Sequence, residues 1–187
     1  MAAHDDAVKG LSDRIKSSVE ALKQAMTKIR TGRANAAMLD GVRVSYYGTP
    51  TPLAQCAAVA VPEPRLITVK PWDKGILKDI EKALLEANLG LTPQNDGEII
   101  RLPIPPLTEQ RRKELAKIVK GEGEEAKVAV RNIRRDANNH IKELLKEGEI
   151  GEDAEKRAQD EVQKLTDKSI ADIDKLVADK EKDLMAV

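Results

Sequence analysis

The chain has 187 residues, of which 32 are basic and 32 acidic, with one tryptophan, two tyrosines, one cysteine and no phenylalanine. A chain of this length suits a medium unit plus a smaller one, and its high charge with few aromatics favours helix packing through Ala, Leu, Val and Ile over an aromatic-rich sandwich. Balanced charge excludes whole-molecule steering toward a polyanion, so any nucleic-acid binding has to come from a local patch, and a lone Cys56 excludes an internal disulfide and a cysteine metal cluster.

In chain order, Val8, Leu11, Ile15, Val19, Leu22, Met26 and Ile29 step by threes and fours and predict a helix with one apolar face. Gly32 is a suitable stop, and Arg30 suits the negative pole of the helix dipole. From residue 33 to 106 the grammar changes to turns and valine-rich runs. Val42 to Tyr46 alternates between Gly41 and Gly48, and Ala57 to Val61 and Leu66 to Val69 are further β-like runs. Asp73 is placed to cap a short helix carrying Ile76, Ile80 and Leu84, which ends near Asn88 and Gly90; Glu98 to Leu102 offers another strand. Pro103-Ile104-Pro105-Pro106 reads as a linker, because proline lacks a backbone donor and restricts its predecessor.

Thr108 starts a second long helix with Leu115, Val119, Ala126, Val130, Ile133, Ala137, Ile141 and Leu144 on its stripe, weakened at Gly121 and Gly123 by about 1 kcal/mol each relative to alanine. After a turn at Gly148 to Gly151, a third helix runs from about Glu152 to Leu184, with Ala158, Val162, Leu165, Ile173 and Leu176 on its apolar side. Long amphipathic helices bury their stripes most economically against one another, so the expected architecture is α+β. Residues 1–31 with 106–187 form a discontinuous three-helix bundle, and 32–105 an inserted small domain. Two chain crossings join them, and Thr31, Gly32, Ile104, Pro105 and Pro106 are the expected hinge.

No Walker A loop, dinucleotide fingerprint, zincin motif or nucleophile elbow occurs, and His4 and His140 add no ligand cluster, so neither enzyme nor cofactor is expected. His140 reads as a boundary packing residue and Cys56 as a small core residue. The N-terminus lacks a basic start followed by an apolar stretch, and no apolar run is long enough to span a bilayer; the expectation is a soluble, cytoplasmic protein. Charge is segregated: residues 107–146 carry 11 basic and 7 acidic side chains, and residues 147–187 carry 7 and 13. Within the basic segment Lys120, Lys127, Arg131, Arg134 and Asn138 recur at spacings of seven, four, three and four, one narrow helical face expected to point away from Ile133 and Ala137. Arg135 borders it, and Arg30 and Arg33 lie near the end of the first helix. Guanidinium forks and an amide are the groups that grip phosphate and ribose when folded RNA is read by its backbone. The alternative is a solvated surface tied by pairs such as Arg131 with Asp136. From the residues alone, an intermolecular coiled coil and an enzyme with an unfamiliar site in the α+β segment also remain open.

Several blocks resemble the ribosome recycling factor family: Lys28-Ile29-Arg30-Thr31-Gly32-Arg33-Ala34, Tyr46-Tyr47-Gly48-Thr49-Pro50-Thr51-Pro52-Leu53, Leu89-Gly90-Leu91, Leu102 through Arg112, Val128 through Asn138, and Asp160 through Asp167. The resemblance spans essentially the whole chain in order. It implies an L-shaped protein with a three-helix bundle and a smaller β/α/β sandwich on a flexible corner. It also implies binding to the post-termination ribosome on the large subunit, and action with elongation factor G, whose GTP hydrolysis separates the subunits. By the same likeness, Arg131 and Arg134 match bundle arginines expected to contact large-subunit ribosomal RNA, Arg30 and Arg33 match basic residues near the hinge, and a monomer is expected. The sequence departs from the family at Gly123, where a better helix former is usual, at Gly151, where serine is common, and at Val69-Lys70-Pro71-Trp72, a bulkier strand end.

Overall fold

In a computed structural model that describes residues 3–186, the helical periodicity becomes α1 (Ala3–Lys28), and the inserted segment opens with a short 3-10 turn, Ala36–Leu39. Strands β1 (Arg43–Tyr46) and β2 (Thr49–Pro52) follow, then a single turn of helix, α2 (Leu53–Cys56), and strands β3 (Ala57–Glu63) and β4 (Leu66–Pro71). A 3-10 turn at Lys74–Ile76 leads into α3 (Leu77–Glu86), and β5 (Gln94–Asn95) and β6 (Ile100–Pro103) precede the two longest helices, α4 (Glu109–Lys146) and α5 (Glu152–Met185). The chain divides into two compact units, one taking it as far as Thr31 and again from Glu109 onward, the other Gly32–Thr108.

In the helical unit the predicted stripes face one another. Val8, Leu11, Ile15, Leu22 and Met26 of α1 are buried, as are Val119, Val130, Ile133 and Ile141 of α4 and Ala158, Val162, Ile173 and Leu184 of α5. Each helix packs on both others within the chain, which removes the intermolecular coiled coil as a reading of these stripes. Burial of each larger aliphatic side chain contributes about 1.5–3 kcal/mol, and these columns hold the bundle together. Thr166 and Ser169 are buried polar residues on α5; their hydroxyls donate to the carbonyls of Val162 (2.8 Å) and Leu165 (2.7 Å), so neither is left unsatisfied. α4 ends because Gly148 takes φ +75°, which lets Glu149 N–H reach Leu144 O and Gly148 N–H reach Leu145 O, both at 3.0 Å. That paired closure satisfies the last carbonyls and reverses the chain into α5.

The inserted unit holds two antiparallel sheets, a β1–β2 hairpin and a four-stranded sheet in the order β3-β4-β6-β5. Tyr47 (φ +47°) and Gly48 (φ +84°) form the hairpin turn, two successive left-handed residues of the kind that match strand twist. Along β4 and β6 every second side chain is buried, and Ile67, Val69, Ile100 and Leu102 meet Ile80 and Leu84 of α3 and Val44 of β1 in one core. Cys56 is part of it, 2% exposed, and burial pushes its thiol pKa up.

Three expectations are corrected at the second crossing. Pro103 does continue the sheet, paired with Leu66 at the end of β6 where no donor is required of it. Ile104 is not linker but core: it is 7% exposed, and its N–H donates to Arg65 O at 2.8 Å. Residues 106–108, assigned to the bundle by the sequence, cluster with the inserted unit. Leu107 explains this, since its Cγ lies 3.2 Å from where a β-carbon on Gly32 would stand, so the two crossings touch there and glycine, at φ +75°, leaves the room. Thr31 and Gly32 are half-buried, and Pro105 and Pro106 are exposed.

Candidate RNA-binding face

The predicted stripe lies on α4, but not opposite the core. At about 100° per residue, Lys120, Lys127, Arg131, Arg134 and Asn138 centre roughly a quarter turn from the buried column of Val119, Ala126, Ile133 and Ala137. They occupy a flank, and α5 lies along it. That placement divides the set. Lys120 Nζ reaches Glu181 Oε1 of α5 at 3.4 Å. Lys127 Nζ sits 2.5 Å from Asp174 Oδ1 of α5 and 3.1 Å from Glu124 Oε1, and its side chain is only 17% exposed. The hydrogen bond to Asp174, then that to Glu124, holds the Lys127 ammonium above the usual lysine pKa. Lys127 is therefore enclosed and neutralised within the bundle, whereas Lys120 remains 67% exposed and is engaged by α5 only through its ion pair to Glu181. Asn138 is half-buried, with its Oδ1 enclosed and accepting no hydrogen bond.

The arginines behave differently. Arg131 is exposed and Arg134 half-buried, and among the described residues no carboxylate pairs with either. Asp136, the partner expected for Arg131, instead accepts from Arg14 Nη2 of α1 at 3.0 Å, since it projects from the opposite flank. Arg135 is exposed, and its Nη2 donates only a long 3.4 Å bond to Asn132 Oδ1. The structure thus brings Arg131, Arg134 and Arg135 together on one stretch of α4. Arg30 and Arg33, both exposed and without an ion pair among the described residues, fall in different units, Arg30 in the helical one and Arg33 in the inserted one. His140 is exposed rather than packed at a boundary, 4.0 Å from Glu143.

Free guanidinium groups spaced along a rigid helix donate to phosphate oxygens in forked, charge-assisted pairs. Sequence reasoning missed the carboxylates that silence the lysines, Asp174 and Glu181. Their signal was present as a seven-residue spacing on α5 matching that of Lys120 and Lys127, but it becomes readable only once the antiparallel register of the two helices is known. Elsewhere, a groove of about 830 Å³ between α1 and α5 is lined by side chains of both signs, among them Lys16, Glu20, Lys168 and Asp172. Among the described residues, no group of histidine, cysteine and acidic side chains could hold a metal ion, and no helix is long and apolar enough to cross a membrane.

With this geometry in place, a family model described as ribosome recycling factor matches residues 22–185. The chain belongs to the ribosome recycling factor family. It is 59% identical to the ribosome-recycling factor of Myxococcus xanthus over 97% of this chain and 98% of that one. With the ribosome-recycling factor of Brevibacillus brevis it shares 58% identity over 95% and 96%. A solution structure of a ribosome recycling factor superposes over the full length of both chains with a TM-score of 0.81 at 41% identity. A second structure, of the T. thermophilus ribosome recycling factor with the E. coli elongation factor G bound to the E. coli post-termination complex, superposes over full length with a TM-score of 0.66 at 43% identity. The α+β class, a helical bundle with an inserted small domain, is the fold of this family, and the family consists of translation factors rather than enzymes.

Proposed function

We propose that this protein binds the post-termination ribosome and, together with elongation factor G and the GTP that factor hydrolyses, promotes separation of the subunits. It carries out no chemistry of its own and needs no cofactor. Arg131, Arg134 and Arg135 grip large-subunit ribosomal RNA through its phosphates, and Arg30 and Arg33 add support from the chain on either side of the first crossing. Thr31-Gly32 and Pro105-Pro106 serve as the hinge between the anchored bundle and the inserted unit. It acts in the cytoplasm as a monomer, consistent with stripes that are already covered within one chain.

One observation carries this reading: beside Lys120 and Lys127, which carboxylates of α5 engage, Arg131 and Arg134 have no carboxylate partner among the described residues. Losing one well-desolvated arginine–phosphate contact costs about 1.5–3 kcal/mol, the range for charge-assisted hydrogen bonds. Arg134→Ala is therefore expected to weaken binding to isolated 50S subunits by about tenfold or more while leaving thermal unfolding unchanged. Wild-type binding by that variant removes Arg134 from the interface. Breakdown of 70S ribosomes with added translocase and GTP, measured with and without the protein, tests the activity as a whole.

A further inference from the structure

The two ion pairs between α4 and α5 repeat with a regular step. Lys120 pairs with Glu181 and Lys127 with Asp174, seven residues forward on α4 and seven back on α5. One further step brings Arg134 opposite Asp167. Charge and register both call for a third rung there, yet no ion pair joins these two residues. Asp167 Oδ1 instead accepts a 2.8 Å hydrogen bond from Nε2 of Gln163, one turn earlier on α5.

Helix geometry accounts for the open rung. A straight α-helix drifts about 20° per heptad against a strict seven-residue repeat, so a ladder with that step slides around each helix surface. The slide is visible in exposure: on α4 the side chain goes from 67% exposed at Lys120 to 17% at Lys127, while on α5 it goes from 30% at Glu181 to 57% at Asp174. At the third step Arg134 is half-buried and Asp167 exposed. Asp167, on a short stem, then lies within reach of the Gln163 amide, which holds it on its own helix.

We propose that Gln163 is a positioning residue for RNA binding: by engaging Asp167 it keeps the third rung open and leaves the Arg134 guanidinium available to phosphate. The inference rests on the reading of Arg134 as an RNA contact. Without Gln163, Asp167 is free to swing toward Arg134 and compete with the phosphate for the same fork. An exposed ion pair favours its closed form only modestly, which sets the expected loss of affinity at about two- to sixfold.

The test measures binding of the full chain to 50S subunits for Gln163→Ala, Asp167→Asn, Gln163→Ala/Asp167→Asn, Arg134→Ala and Gln163→Ala/Arg134→Ala, with the melting temperature of each. Gln163→Ala is expected to bind about two- to sixfold more weakly with an unchanged or slightly raised melting temperature, because an ion pair has closed rather than a contact been lost. Removing the competing charge in Gln163→Ala/Asp167→Asn restores binding, Asp167→Asn alone binds at least as well as wild type, and Gln163→Ala has no effect once Arg134 is gone. If Arg134→Ala weakens binding but Gln163→Ala does not, or Asp167→Asn fails to restore it, the positioning role is overturned and Arg134 keeps its place. A loss on Gln163→Ala that persists in the Arg134→Ala background also overturns it, since Gln163 then acts directly. Wild-type binding by Arg134→Ala overturns the RNA-contact reading and this inference with it.

Discussion

At Gly123 an added β-carbon would run into Val177 Cγ2 of α5 and stand 3.7 Å from Val177 Cβ, whereas at Gly121, two residues earlier on the same helix, it would meet nothing within 4 Å. The two glycines look alike in the sequence and cost α4 the same propensity. Gly121→Ala is accordingly expected to stabilise the protein by about 1 kcal/mol. Gly123→Ala gains the same propensity but overpacks the α4–α5 contact, typically a loss of about 1–3 kcal/mol, so its net effect is neutral to destabilising. Urea denaturation midpoints at unchanged m-value separate the pair, and equal stabilisation by both would mean that close helix approach is not what Gly123 provides. Gly123 is thus matched to Val177, while Gly151 at the start of α5 offers no side-chain cap. What the sequence hid at this scale was always the facing residue. Lys120 and Lys127 have the spacing of a binding face, and nothing within α4 announces that Glu181 and Asp174 stand across from them. Arg131 and Arg134 share that spacing, and nothing within α4 announces that no carboxylate faces either of them among the described residues.

Among the elements, the long helices were readable because an apolar stripe repeated over many turns has no other economical use, and their observed ends lie within a few residues of those predicted. The short elements of the inserted unit were harder. β2 is Thr-Pro-Thr-Pro, which proline chemistry argues against, and it survives as half of an isolated hairpin; β5 has only two residues, too few for any alternation to show. Asp73 was read correctly as a cap, its Oδ1 accepting from Gly75 N–H at 2.8 Å, but its second bond was not foreseen: Tyr47 of the β1–β2 turn donates its phenol to Oδ2 at 2.6 Å. The Tyr47 phenol first, and the Gly75 N–H second, hold the Asp73 carboxyl below its ordinary pKa, while the bond to Asp73 and its negative charge raise the Tyr47 pKa. The signs follow. Asp73's contribution is present above the unfolded carboxylate pKa of about 3.9 and is lost as pH falls through the lower folded value; Tyr47's is present below about 10 and is lost as pH rises through its raised value. Tyr47→Phe is expected to move the Asp73 pKa part of the way back up, leaving the Gly75 share, in a carbon-detected NMR titration. An unmoved Asp73 would mean that the turn and the cap are not coupled.

For the molecule as a whole, neutrality conceals an uneven distribution, with α4 on the basic side and α5 on the acidic. Much of that difference is spent between the helices, in Lys120–Glu181 and Lys127–Asp174, and Arg14–Asp136 ties α1 to α4 as well. Of the charged residues on the α4 stripe, the arginines are those left without a carboxylate among the described residues. This decides how binding to the ribosome responds to salt, because counterion release counts the phosphates actually neutralised and not the formal charge of the helix. If Arg131, Arg134, Arg135, Arg30 and Arg33 each neutralise one phosphate, a plot of log affinity for 50S subunits against log salt has a slope of about −3.5 to −4.5. Arg131→Ala makes that slope shallower by roughly one contact, whereas Lys120→Ala leaves it unchanged, since its ammonium is already committed to Glu181. A slope that Lys120→Ala makes shallower by about one contact would show instead that the lysines leave their carboxylates on the ribosome. In that case the whole α4 flank would be the interface, and the ion pairs seen in the free protein would be contacts that binding breaks.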